Sequence, residues 1–223
     1  MAVDHTIRAF DEDMSRLDAL IAEMGGLAEN QIATALEVLQ RGDADAARDV
    51  VARDKALDAL EAEVERLAIQ LIALRAPVAS DLRKVVGALK ISGMLERVGD
   101  HAKNIAKSVI KIPDFRFAPL ARVPVIGEMV QGMIHSALTA YAALDTALAE
   151  DVVARDDQVD ALYRELVRSL IDHLQDGSAN AVTATETLLI ARFIERIGDN
   201  ATNIAEAVYY ASTGLVMPDR HPG

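Results

Sequence analysis

The sequence predicts an all-α fold made of two tandem three-helix bundles, six long helices in all. Three observations carry that prediction. Ala, Leu, Val, Glu, Asp and Arg dominate the chain while aromatic residues supply only 4%, so the β-branched and aromatic alternation of strands is missing. Leu57, Leu60, Val64, Leu67, Leu71 and Leu74 recur at steps of three and four, the stripe an amphipathic helix buries; Val159, Leu162, Leu166, Leu170 and Leu174 show the same register. The third observation is an internal repeat. Residues 50–60 and 152–162 agree at 8 of 11 positions, and residues 95–109 and 194–208 at 9 of 15, with offsets of 102 and 99. One three-helix unit used twice accounts for both matches.

Helix breakers divide the chain into segments 4–41, 43–75, 78–111, 120–149, 151–175 and 179–213. Gly42 ends the first and Asp43 starts the second as its cap. Gly25-Gly26 inside the first segment is a candidate kink or split. Ala76-Pro77 stops the second, and Asp176-Gly177-Ser178 separates the last two. Pro113, Pro119 and Pro124, with Phe115 and Phe117, mark the widest interruption. The expected division is therefore a first bundle at 1–112, a linker at 113–119, a second bundle at 120–213 and a frayed tail at 214–223.

Charge narrows the partners. Against 23 basic residues stand 35 acidic ones, a net charge of −12 that repels phosphate backbones and anionic headgroups, so nucleic acid and bare membrane are disfavoured. The absence of cysteine removes disulfides, thiolate zinc sites and cysteine nucleophiles together, and suits a reducing cytoplasm. The start carries no basic segment followed by an apolar one, so no secretory signal is expected. Apolar stretches near 67–74 and 188–194 are interrupted long before the roughly 18 residues that a spanning helix needs. Catalytic motifs are missing too: there is no phosphate-binding Gly-rich loop, no HExxH, no GxSxG and no Glu-x-x-His. No catalytic residue is nominated, and the chain is not expected to be an enzyme.

The chemistry lies in the repeat. Each third helix carries Glu-Arg-hydrophobic-Gly-Asp followed by Asn four residues on: Glu96, Asp100 and Asn104, then Glu195, Asp199 and Asn203. At 100° per residue these side chains share a stripe that faces away from the seam of Leu95, Val98, Ala102, Ile105 and Val109. Acids at i and i+4 repel, at a cost of about 0.2–0.5 kcal/mol per pair. Four such pairs stand at repeat-equivalent places: Asp54/Asp58, Asp156/Asp160, Glu96/Asp100 and Glu195/Asp199. Two readings offset the repulsion. In one, each unit holds a hard cation such as magnesium, manganese, iron or zinc on these oxygens, Asp54 and Asp58 joining the first cluster and Asp156 and Asp160 the second. In the other the acids are a solvated face neutralised by Arg53, Arg97, Arg155 and Arg196. Gly99 and Gly198, costly in mid-helix, are read as points of close helix approach, and His101, whose counterpart is Asn200, as a surface histidine.

The run 95–106 (Leu-Glu-Arg-Val-Gly-Asp-His-Ala-Lys-Asn-Ile-Ala), the run 191–206 that repeats it, and the segment 75–83 (Arg-Ala-Pro-Val-Ala-Ser-Asp-Leu-Arg) resemble the PhoU family of bacterial phosphate-uptake regulators. The resemblance spans nearly the whole chain. It implies paired three-helix bundles with a multinuclear iron or zinc site at each acidic motif, Glu96, Asp100, Glu195 and Asp199 matching the motif acids and Asn104 and Asn203 its amide. It further implies a negative regulator of phosphate uptake and of the phosphate-starvation response. Such a protein couples a phosphate ABC transporter to a sensor histidine kinase, is a homodimer, and is cytoplasmic with recruitment to the inner membrane through protein partners. Asp81, Arg83, Arg97 and Arg196 are its candidate partner contacts, with helix capping by Ser80 or Asp81 as the alternative role for the start of the third helix. The 99-residue counterpart of Asp81-Leu82-Arg83 is Asn180-Ala181-Val182, so the two halves are not equivalent. A metal-buffering protein and a plain helical scaffold remain the competing readings.

Overall fold

The computed structural model describes residues 2–52, 55–178 and 180–218. They form α1 (Ala2–Arg41), α2 (Ala44–Ala52), α3 (Lys55–Arg75), α4 (Ala79–Val109), a 3-10 turn at Leu120–Arg122, α5 (Val123–Ala143), α6 (Thr146–Gln175) and α7 (Ala181–Thr213). No strand occurs among the described residues. The all-α fold stands as predicted: α1, α2 with α3, and α4 make one three-helix unit, and α5, α6 and α7 make the other.

Local chemistry sets the helix ends. Gly42, at φ 64°, turns the chain after α1, and Asp43 Oδ1 accepts from the amides of Asp45 and Ala46 at the start of α2. The break expected at 149–151 falls earlier. α5 ends at Ala143, Leu144 adopts a left-handed φ of 51°, and Asp145 caps α6 by accepting from the Leu148 amide at 3.0 Å. A leucine in the position that usually takes glycine carries no stop signal, so the boundary was misplaced by more than a turn. Gly25-Gly26 does not split α1, which runs through both. A Cβ on Gly25 would stand 2.8 Å from Leu138 Cδ1, so that glycine brings α1 close to α5. Capping of α4 by Ser80 or Asp81 does not form either: Val78 is the N-cap, with no side-chain bond, and both polar residues lie inside the first turn.

α4 and α7, the repeat-equivalent third helices, share the most extensive helix interface and run antiparallel. Gly87 lies against Ala211, His101 against Phe193, and Lys111 reaches Glu186 at 3.3 Å. The two acidic motifs therefore fall near the middle of this seam. Beneath it Leu95, Val98, Ala102, Ile105 and Val109 are fully buried, as the predicted stripe requires. They join one continuous core with Leu17, Ile134, Leu166 and Ile204, each such side chain contributing about 1.5–3 kcal/mol of burial. Phe117, between the units, is buried edge-on to His173.

Candidate functional site

The second unit gathers its acids. Asp156 of α6 is half-buried against α7: a Cβ on Gly198 would stand 3.6 Å from Asp156 Oδ1. Burial, and then the charges of Asp160, Asp199, Asp157 and Glu195, push the Asp156 carboxyl from 3.8 up to about 6. Glu195 is raised as well, by burial first and Asp199 next, against the opposing pull of Arg192 and Arg196. Arg192 donates to Glu195 Oε1 at 2.7 Å, while the buried Oε2 has no hydrogen-bond partner among the described residues. Asp160 is exposed. Asp199 is held by Arg196 at 3.2 Å.

The first unit handles its acids differently. Glu96 and Asp100 are half-buried and Asp58 is exposed, while Asp54 lies outside the described residues. Lys103 donates to Asp100 Oδ1 at 2.8 Å, and Glu96 is engaged as well. Asn104 accepts from Lys107 at 3.3 Å. Over Gly99 stand Leu57 and Gln31, where the second unit has Val159 and Val130 over Gly198. Gln31 was not singled out in the sequence. Its buried Oε1 has no partner among the described residues and stands 2.6 Å from the position of a Cβ on Gly99. The only sequence signal was an amide beside the apolar stripe of α1.

The arginines only partly serve as the neutralising face. Arg196 holds Asp199, but Arg155 turns away to Asp151 and to Ser136 Oγ at 3.2 Å. Arg97 makes no ion pair among the described residues, and Arg53 lies outside them. Arg97, Arg196 and Asn203 line an open recess between α4 and α7. His101 lines it too. Expected at the surface, it is instead half-buried and stacked on Phe193 with centroids 6.0 Å apart, and burial lowers its pKa below 6.5. At the far end of α4, Arg83 is turned inward: its Nε donates to the Ala211 carbonyl at 3.4 Å and its guanidinium lies beside Gly214. Asp81 is half-buried in the first turn of α4.

Among the described residues no group of three or more His, Cys, Asp or Glu side chains stands where it could hold a metal ion. The donor chemistry of the second unit nonetheless fits a hard cation. It offers carboxylate oxygens, one of them buried without a partner among the described residues, and burial first and their mutual repulsion next raise two pKa values. Each unit has a basic side chain on a motif acid, Lys103 on Asp100 and Arg196 on Asp199; the second differs in its unpartnered Glu195 Oε2 and its half-buried Asp156.

Fold and site together define a duplicated three-helix-bundle protein whose two acidic motifs lie on the pair of helices that join its halves. The PhoU domain model matches twice, at residues 21–109 and 123–208. A phosphate-specific transport system accessory protein PhoU homolog of Zymomonas mobilis is 48% identical over 99% of this chain and 94% of its own length. One from Caulobacter vibrioides is 40% identical over 98% and 96%. The crystal structure of PhoU from Pseudomonas aeruginosa superposes with a TM-score of 0.86 at 31% identity, covering 92% of this chain and all of that one. That of the phosphate transport system regulatory protein PhoU from Streptococcus pneumoniae gives 0.88 at 27% identity, covering 94% and 99%. The chain belongs to the PhoU family, whose members are accessory proteins rather than enzymes. No helix among the described residues is long and apolar enough to cross a membrane.

Proposed function

We propose that this protein is the accessory regulator of a phosphate transporter, restraining uptake and holding the sensor kinase of the starvation response in its repressing state when phosphate is plentiful. The observation that carries the reading is the end-to-end match of both repeats to relatives named for phosphate-specific transport. The physical form suits docking: long helices present broad polar faces. With a net charge of −12, recruitment to the inner membrane from the cytoplasm would run through protein partners rather than lipid charge.

Asp156, Asp160, Glu195 and Asp199 would hold a hard cation in the second unit, iron or zinc by family likeness, with manganese and magnesium suited by the same oxygens. Asp54, Asp58, Glu96 and Asp100, with Asn104, are the corresponding donors in the first; Asn203 faces the α4–α7 recess. A bound cation supplies positive charge that offsets the carboxylate repulsion. The protein acts as a homodimer in this reading, checked by light scattering across micromolar concentrations.

The experiment that tests the regulatory role is deletion of the gene with alkaline phosphatase activity measured in phosphate-rich medium. High activity, returned to low by the intact gene, is expected. An unchanged reporter in a strain without a second copy of the family would overturn the reading and leave metal buffering as the alternative.

A further inference from the structure

We propose that the recess between α4 and α7 is a binding site for a small tetrahedral oxyanion, held between Arg97 and Arg196. The recess has a volume of about 500 Å³ and lies where the two repeats meet, so each repeat contributes one guanidinium from the same position of its motif. His101, Asn200, Thr202 and Asn203 supply the rest of its wall with Asp199, and among the described residues no Val, Leu, Ile, Met or aromatic hydrocarbon side chain lines it. Such a wall suits a small charged ligand rather than an apolar peptide. Guanidinium forks fit the paired oxygens of phosphate or sulfate, and two of them on facing helices supply bidentate contacts from two directions.

A single substitution between the repeats makes one of these arginines available. In the second unit Arg196 holds Asp199 at 3.2 Å, the i+3 pair expected on a helix. In the first unit the equivalent acid, Asp100, is taken at 2.8 Å by Lys103, whose counterpart is Thr202. Arg97 is thereby left without an ion pair among the described residues while lining the recess. Among the described residues Asp199 is the one anion in the wall, and Arg196 already compensates it, so the charge of Arg97 is the surplus an incoming anion meets. Against an overall charge of −12 this local surplus is short-ranged, and occupancy falls as salt rises.

The proposal goes beyond the regulatory role and does not rest on bound metal, which separates the two in the test. Full-length protein freed of metal by chelation is titrated calorimetrically at low ionic strength with inorganic phosphate, sulfate and chloride. Saturable binding of phosphate and sulfate, one per chain, with none of chloride, is the expected result. Arg97→Ala, which removes no ion pair among the described residues, weakens binding at least about tenfold. Arg97→Lys gives a smaller loss, since it keeps the charge without the fork. Arg168→Ala, on the exposed side of α6, changes nothing. Absence of saturable binding, equal binding by folded Arg97→Ala, or phosphate uptake only after metal is restored would each overturn the site. Capture of a phosphopeptide without inorganic phosphate would do so as well, and would assign the recess to a protein partner.

Discussion

The carboxylate of Asp156 lies over Gly198, its Oδ1 3.6 Å from where a Cβ on that glycine would stand. That contact sets an acid from α6 above the motif of α7, within the field of Glu195 and Asp199. That closeness turns three separate acids in the sequence into one electrostatic unit, and its consequences are measurable.

A carboxyl raised from 3.8 to about 6 means that the folded protein binds more protons than the unfolded chain between those values. Stability from this group is therefore present below pH 3.8, falls as pH rises through the window, and is lost above about 6. Asp156→Asn in metal-free protein removes the penalty. It should raise unfolding stability at pH 7 by on the order of 1 kcal/mol, the shift being discounted for solvent screening. The gain should vanish near pH 4, which urea unfolding at both pH values checks.

Cation binding should reverse the sign of that repulsion. Manganese added to chelated protein is expected to raise stability, by about 2.7 kcal/mol when the free ion stands at a hundred times its dissociation constant. Glu195→Gln or Asp156→Asn should abolish most of the gain. Asp100→Asn should cost less, because Lys103 already sits on that carboxylate at 2.8 Å. Urea midpoints with and without the ion test this; a wild-type midpoint indifferent to manganese, iron and zinc would remove the metal reading.

The helices and their duplication were legible because both are periodic: a three-to-four stripe marks each buried face, and the offset of about a hundred residues marks the second unit. The acids of the second site were legible for the same reason. Their compensation was not. Whether an arginine neutralises its motif acid depends on Lys103 standing where the other repeat has Thr202, and on Arg155 turning to Asp151, choices made by side-chain reach in three dimensions. Gln31 and Val130 approach the motif glycines from helices whose relation to the motif only packing reveals. His101 reads as a surface residue in the sequence because the ring that covers it, Phe193, comes from the other repeat.

The motif glycines should respond differently to the same methyl group. On Gly99 it would meet Leu57 Cδ1 at 2.4 Å and Gln31 Oε1 at 2.6 Å, and Leu57 is fully buried. On Gly198 its nearest neighbour is Val130 at 3.5 Å, an ordinary contact. Alanine gains about 1 kcal/mol of helix propensity at either site. Gly198→Ala should therefore be neutral or stabilising, and Gly99→Ala destabilising by about 1–2 kcal/mol once overpacking outweighs the gain. Thermal unfolding of the two variants decides it.

The starts of α4 and α7 should also differ, although the repeat makes them counterparts. Asn180 accepts from the amides of Val182 at 2.9 Å and Thr183 at 3.3 Å, satisfying two of the donors that a helix start leaves open. α4 begins after Val78 with no side-chain cap, and Ser80 is exposed inside its first turn. Replacing Asn180 with alanine should cost about 1 kcal/mol, whereas Ser80→Ala should change stability by less than about 0.5 kcal/mol. Two urea melts suffice. An equal loss in both would mean that Ser80 caps α4 in solution and that the helix begins later than Ala79; the expected order of losses would place a capping asymmetry in segment 75–83, one of those in which the two repeats diverge.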